Sequence, residues 1–258
     1  MFDLDGRIAI VTGAGQSVGR GIAEALAAAG ATVAVNDLHA DRAEEVAADI
    51  NGNGGHAVAM PFDVTRLEEV REGVAGVERR FGRIDVVVNN AGRVDDGKTR
   101  LGRFKESDPA RWHLWIDLNI YGSLYMIHSV LPGMTERGFG RIIQISSGSG
   151  SRGIPSGVAL YGAGKAGIEG ALRHIAIEEA QSGVTFNAIA LGLMANTAGR
   201  WDKNPPGEAK PGTLAAVPIG RLGEPREIGA CAVWLASDLA GFTTGQVIHL
   251  NGGTHQGR

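Results

Sequence analysis

The sequence predicts an α/β fold: a doubly wound, mainly parallel seven-stranded sheet with helices on both faces. Three observations carry this prediction. Short β-rich apolar runs alternate with longer segments of helical period from one end of the chain to the other. Several of the runs are apolar at every position, as strands covered on both faces are. No linker, composition shift or fixed-period repeat interrupts the rhythm, so residues 1–258 are expected to form one domain.

The elements follow in order. Ile8–Val11 is the first strand, and it runs through a glycine-rich turn into a helix over Ile22–Ala29 that Gly30 ends. Thr32–Val35 is the second strand, with Ala43, Val46, Ala47 and Ile50 on one face of the helix after it. Ala57–Met60 is the third, followed by the helical set Val70, Val74, Val77 and Phe81. Ile84–Val88 is the fourth. Asp108-Pro109 then pairs an N-cap with Pro at the first helical position, opening a helix through Trp112, Trp115 and Ile116. Ile142–Ile145, Val184–Ile189 and Val247–Leu250 complete the set, and Gly183 ends the helical run before the sixth strand. The rhythm breaks only at Leu193 to Gly220, which is rich in Pro and polar residues. This stretch leaves a strand's carboxyl end, where such sheets bind ligands, so residues 193–220 are a candidate lid.

Composition narrows the function classes. Glycine supplies 40 of 258 residues, roughly twice its usual share, yet it lacks the every-third-residue period of collagen. Its work must be local, at turns and close backbone contacts. A net charge of −3 with no block of like charge argues against nucleic acid or an anionic membrane as partner. The single cysteine, Cys231, excludes an internal disulfide and suits a reducing compartment. No run approaches 18 apolar residues, and the N-terminus lacks the pattern of a signal peptide, so a cytoplasmic location is expected.

The most informative segment is Thr12-Gly13-Ala14-Gly15-Gln16-Ser17-Val18-Gly19-Arg20-Gly21, between a strand and a helix. Backbone N–H groups at a helix start, with the helix dipole behind them, suit a pyrophosphate. A tight strand-to-helix turn without ligand is the plainer reading. Asp37 favours the first reading: it lies 18 residues after Gly19, near the spacing at which an acid meets the adenosine ribose. A carboxylate there repels a 2′-phosphate, and the turn carries no Lys or Arg before Arg20. NAD is therefore expected over NADP, with Arg42 close enough in sequence to keep NADP open.

Tyr161 and Lys165 stand at i and i+4, neighbours on one helical face. A nearby ammonium favours phenolate and lowers the tyrosine pKa from about 10 toward neutral. Tyr161 is thus a candidate general acid or base for a carbonyl or alcohol oxygen. Ser146 and Ser147 close the fifth strand on the same sheet edge, where a hydroxyl can hold substrate oxygen; a turn cap is the alternative use of Ser there.

These residues resemble the short-chain dehydrogenase/reductase family, whose Rossmann-type fold the likeness extends over nearly the whole chain. Thr12-Gly13 through Gly19 is similar to its cofactor turn, with Gln16, Ser17 and Val18 inside it. Asp63-Val64 looks like its adenine contact, and Asn89-Asn90-Ala91-Gly92 like its motif after the fourth strand. Asn119, Ser147, Tyr161 and Lys165 match its catalytic tetrad in order. Arg221-Leu222-Gly223-Glu224-Pro225, Leu235-Ala236-Ser237-Asp238 and Gly245-Gln246 are similar to its C-terminal signature. The resemblance implies a homotetramer and a nicotinamide cofactor, with a secondary alcohol or ketone as substrate. Tyr161 would be the proton donor or acceptor, and Lys165 would tune it and bind nicotinamide ribose. Ser147 would orient substrate oxygen, and Asn119 would hold a relay water. Three positions depart from the pattern. Ser17 replaces the middle glycine of the turn, Ser147 precedes Tyr161 by 14 residues rather than 13, and Leu191-Gly192 replaces Pro-Gly.

Weaker signals point to substrate contacts: Ser149 as a lesser serine candidate, Arg152 for a carboxylate, and Met194 and Trp201 for apolar groups. Arg93 to Lys105 carries five basic residues that a solvated loop explains as well as steering does. The seven His show no metal-ligand spacing, so no metal is expected. A non-catalytic nucleotide sensor on the same fold is the rival reading; Ser17 favours it and the complete tetrad opposes it.

Overall fold

Each of the seven expected strands forms, and the sheet that they build has its order reversal at the glycine-rich turn. A computed structural model describes residues 2–94, 102–155, 157–195 and 214–255. The strands are β1 (Ile8–Val11), β2 (Thr32–Val35), β3 (His56–Ala59), β4 (Val86–Asn89), β5 (Gly140–Ser147), β6 (Val184–Leu191) and β7 (Val247–Leu250). They pair in parallel throughout, in the order β3-β2-β1-β4-β5-β6-β7. The chain winds outward one way from β1 to β3, then crosses back to β4. The carboxyl ends of β1 and β4 therefore flank a crevice, the place where doubly wound sheets hold ligands.

Apolar residues at consecutive strand positions supply two cores. In β1, Ala9 and Val11 face one cluster while Ile8 and Ile10 face the other. In β4, Val86 and Val88 face the first and Val87 the second. This alternation is why these strands read as continuous apolar runs. The first cluster is covered by helices α1 (Ser17–Ala28), α2 (Ala40–Gly52) and α8 (Pro225–Ala236). The second lies under α3 (Leu67–Phe81), α5 (Gly122–Arg137) and α7 (Ala159–Glu178).

Strand limits differ from the expected ones where side chains or turns take over the hydrogen bonding. Asp85 ends the ladder before β4, because its buried carboxylate accepts from the Ile8 N–H at 2.9 Å. β5 runs on through Ser146 and Ser147, and β6 through Leu191, since each finds backbone partners in the other. The first helix starts at Ser17 rather than Ile22. Asp108 does cap, accepting from the Ala110 N–H at 3.0 Å, but it opens a short 3₁₀ turn, Pro109–Arg111. The short α4 (Trp112–Ile116) follows, then a π-helical turn, Asp117–Tyr121, and then α5. No helix among the described residues is long and apolar enough to cross a membrane.

Gly21 has a different task from the one its place in the glycine run suggests. A Cβ there would lie 2.5 Å from Pro225 Cβ, and one on Gly229 would lie 2.6 Å from Ala25 Cβ. Both glycines let α1 and α8 approach closely. They belong to a helix crossing, not to the turn.

Candidate active site

The turn after β1 is fastened to the turn after β4. Thr12 Oγ1 accepts from the N–H groups of Asn90 and Ala91 at 3.0 and 3.1 Å. The Asn90 amide donates to the carbonyls of Thr12 and Gly13, both at 2.9 Å. Gly13 adopts φ +60, and a Cβ on it would press on the Ala91 backbone at 3.0 Å. A Cβ on Gly19 would sit 2.4 Å from Asn90 Nδ2, so α1 can come this close only with glycine there. These are the turn-forming and close-packing duties that a dinucleotide fold gives its glycines. Ser17 holds the middle position at φ 58, the one non-glycine residue with positive φ among those described.

The first turn of α1 carries no acidic residue, and Gln16 makes no side-chain cap to its backbone. A helix start so arranged suits an anion. Val18 is buried beneath it. Asp37, buried at the end of β2, accepts from the Gly15 N–H at 3.0 Å and the His39 N–H at 3.0 Å. Its carboxylate is thus fixed beside the turn. Gly15 is pinched between Asp37 and Arg42, whose Cβ would lie 2.6 Å from a Cβ on Gly15. Asp63 accepts from the N–H and hydroxyl of Thr65 at 2.9 and 2.7 Å, and Val64 is buried against Gly122. Together these features fit a dinucleotide laid across the β1 and β4 ends.

Behind that crevice the four tetrad positions converge. Asn119 sits in the π-helical turn, fully buried, with its amide donating to the Trp115 carbonyl at 3.0 Å. Its Oδ1 finds no hydrogen-bond partner among the described residues. Single π turns inside helices commonly mark functional sites. Lys165 Nζ is buried and donates to the Ile145 carbonyl at 2.8 Å. A Cβ on Gly92 would lie 2.5 Å from that Nζ and 2.9 Å from Asn119 Oδ1, so the β4 turn, the π turn and α7 meet at one point. Lys165 Nζ stands 5.6 Å from the Tyr161 ring centre, and Trp115 meets the same ring edge-on at 5.9 Å.

Burial raises the Tyr161 phenol above its ordinary value, against the opposing pulls of the Ser147 side chain and the charge of Arg93. Lys165 itself is brought down to about 8 by burial, against the pull of Glu169 toward the charged form. Ser147 also accepts from the Ser149 N–H at 3.2 Å, so it caps the short helix α6 (Gly148–Ser151) as well as meeting Tyr161.

The substrate candidates divide. Ser149 Oγ accepts from the Ser147 hydroxyl at 3.3 Å, and Arg152 is exposed at the end of α6. Met194 is buried in the first core cluster, against Gly223. Trp201 and most of the candidate lid, residues 196–213, lie outside the described residues, as do 95–101 of the basic segment. Gly192 lets β6 pass Asn251, whose Cα would be 2.6 Å from a Cβ at that position. Two residues join the site without a local motif of their own: Trp115, expected only as part of a helix, and Glu169, one helical turn beyond Lys165. Among the described residues, no group of three His, Cys, Asp or Glu could hold a metal ion.

A family model described as enoyl-(acyl carrier protein) reductase matches residues 13–255. An acetoacetyl-CoA reductase of Shinella zoogloeoides is 41% identical over 247 residues, covering 96% of this chain and 98% of its own. The chain belongs to the short-chain dehydrogenase/reductase family. A 3-oxoacyl-(acyl-carrier-protein) reductase of Vibrio cholerae is 36% identical over 254 residues, covering 98% of this chain and 99% of its own. Among solved structures of short-chain dehydrogenases, a gluconate 5-dehydrogenase from Burkholderia cenocepacia, in complex with NADP and tartrate, superposes with a TM-score of 0.88. It is 31% identical and covers 98% of this chain and 96% of its own. As a member of the family, this chain is an NAD(P)-dependent oxidoreductase that acts on CH–OH and carbonyl groups.

Proposed function

We propose that the chain interconverts a secondary alcohol and a ketone, with NAD(H) preferred and Tyr161 as general acid and base. The convergence of Asn119, Ser147, Tyr161 and Lys165 behind the β4 and β5 ends carries this reading. The nicotinamide cofactor supplies or accepts the hydride. In the reductive direction Ser147 holds the substrate oxygen and Tyr161 gives it a proton; in the oxidative direction Tyr161 takes the proton back. The buried Lys165 ammonium stabilises the phenolate left behind. Asn119 Oδ1 offers an acceptor next to Lys165 that would hold the relay water from which that proton is replaced.

Asp37 supports the preference for NAD. Its carboxylate is held by two backbone N–H groups beside the phosphate turn, where it receives ribose hydroxyls and repels a 2′-phosphate. The gluconate 5-dehydrogenase bound to NADP makes this the point to test first. For substrate, the acetoacetyl-CoA and 3-oxoacyl reductases among the relatives support a 3-oxoacyl thioester.

Nicotinamide absorbance is followed with acetoacetyl-CoA, simple ketones, alcohols and sugar acids, each with both cofactors. Turnover faster with NADH is expected, and Asp37→Ala should narrow the difference. Tyr161→Phe should lower kcat by about 10³-fold. Full turnover by that variant refutes the role of Tyr161. A preference for NADPH refutes that of Asp37.

A further inference from the structure

Glu169 is 5% exposed, an unusual place for a carboxylate without a strong partner. Its Oε1 accepts from the hydroxyl of Ser146, itself 1% exposed on β5. From above, the helix α6 closes over it: a Cβ on Gly150 would lie 3.1 Å from Glu169 Oε1 and 3.1 Å from the Ala166 N–H nitrogen. Along α7, Glu169 stands four residues after Lys165, on the same face. A neutral hydroxyl alone offsets little of the cost of burying a carboxylate. The buried lysine four residues away has the opposite charge.

The geometry points to Glu169 as a positioning residue for Lys165: a buried counter-charge, locked by Ser146 and sealed by Gly150, that keeps the lysine protonated and its Nζ on the Ile145 carbonyl. The inference rests on the reading that Lys165 serves Tyr161. Lys165 is drawn toward its neutral form by burial and toward its charged form by Glu169, which is the balance such a pair would strike. The other titratable groups around the pair are few. Tyr161 lies on α7 itself, and His249 on β7 faces Glu169, with His255 packed edge-on against the His249 ring at 5.1 Å. His249 is biased to its neutral form by burial and by His255. Arg173, four residues beyond Glu169 on α7, is exposed.

The arrangement also explains two serines in series at the end of β5. Ser147 points to Tyr161 and Ser146 to Glu169, so adjacent strand residues serve the phenol and the carboxylate on opposite sides of one lysine.

The experiment is an NMR pH titration of protein carrying ¹³Cε-labelled lysine, with the five lysines reduced to one assigned signal by comparison with Lys165→Met. Glu169→Gln keeps the size and an acceptor for Ser146 but removes the charge. The Lys165 signal should then titrate at lower pH than in the parent, by about half a unit or more. The alkaline limb of kcat should move the same way, with turnover recovered at lower pH. Ser146→Ala, which unlocks the carboxylate, should move both in the same direction by less, and it serves if Glu169→Gln does not fold. An unchanged Lys165 titration in a folded variant of either kind overturns the inference. If the titration moves while Lys165→Met retains full turnover, the charge pairing stands and the catalytic reading of Lys165 falls instead.

Discussion

Ser17 offers a test that depends on backbone geometry alone. It stands at φ 58, in the left-handed region, at the head of α1. For a residue with a Cβ this conformation costs about 1–2 kcal/mol. The hydroxyl has no hydrogen bond to offset that cost among the described residues. Ser17→Gly removes the clash but frees the unfolded chain, which takes back about 0.4–1 kcal/mol. The net gain is therefore about 0.8 kcal/mol, or a Tm higher by about 2 °C in a chain of this size. Thermal unfolding by calorimetry or dye fluorescence reads it directly. Ser17→Val, whose branched side chain suits positive φ least, should lower Tm by more than Ser17→Gly raises it. A Ser17→Gly protein that melts at or below the parent temperature refutes the claim that this position is strained.

Three further outcomes follow from the same structure. In Gly92→Ala the new methyl must displace Lys165 Nζ by about 1 Å to reach an ordinary contact and must also press on the buried Asn119 Oδ1, 2.9 Å away, which should cost about 10²-fold in kcat; turnover within twofold of the parent contradicts it. Lys165 has a folded-state pKa of about 8 against an ordinary 10.5, so burying its protonated form costs stability below pH 8, and that cost fades as pH rises to 10.5. Denaturant unfolding should find the stability of the parent relative to Lys165→Met rising by at most about 3 kcal/mol between pH 8 and pH 10.5; a difference that falls through that window would have the wrong sign. Burial pushes the Cys231 thiol up to about 11, so a thiol reagent at pH 8 should label it slowly in the native protein and fully after unfolding; equal rates would show that the thiol is accessible.

Much of the fold was legible because its signals are local. The strands announce themselves as β-branched runs, apolar on both sides because two cores press on the sheet from opposite faces. The phosphate turn and the pair Tyr161 and Lys165 are readable for the same reason, since short spacings fix which residues a strand end or a helical face brings together. The limits of elements were less legible. Nothing local in Ile84–Val88 reveals that Asp85 will take the Ile8 N–H and begin the strand at Val86.

The residue types at the site, and the order in which they occur, were determined by the sequence by itself. Their use was decided only by the tertiary structure, because burial and through-space charge depend on segments far apart in the chain. Met194 is buried with Gly223 against its sulfur, a contact no local pattern announces. Gly21 leaves the phosphate turn for a helix crossing once Pro225 arrives against it. Burial raises the Tyr161 phenol, against the pulls of Ser147 and Arg93, 14 and 68 residues upstream of it. Glu169 looks like any helix-surface acid until Ser146, Gly150 and His249, from three other parts of the chain, enclose it beside Lys165. A one-dimensional pattern records which side chains a helix turns to one side; what meets them there is a property of the packed molecule.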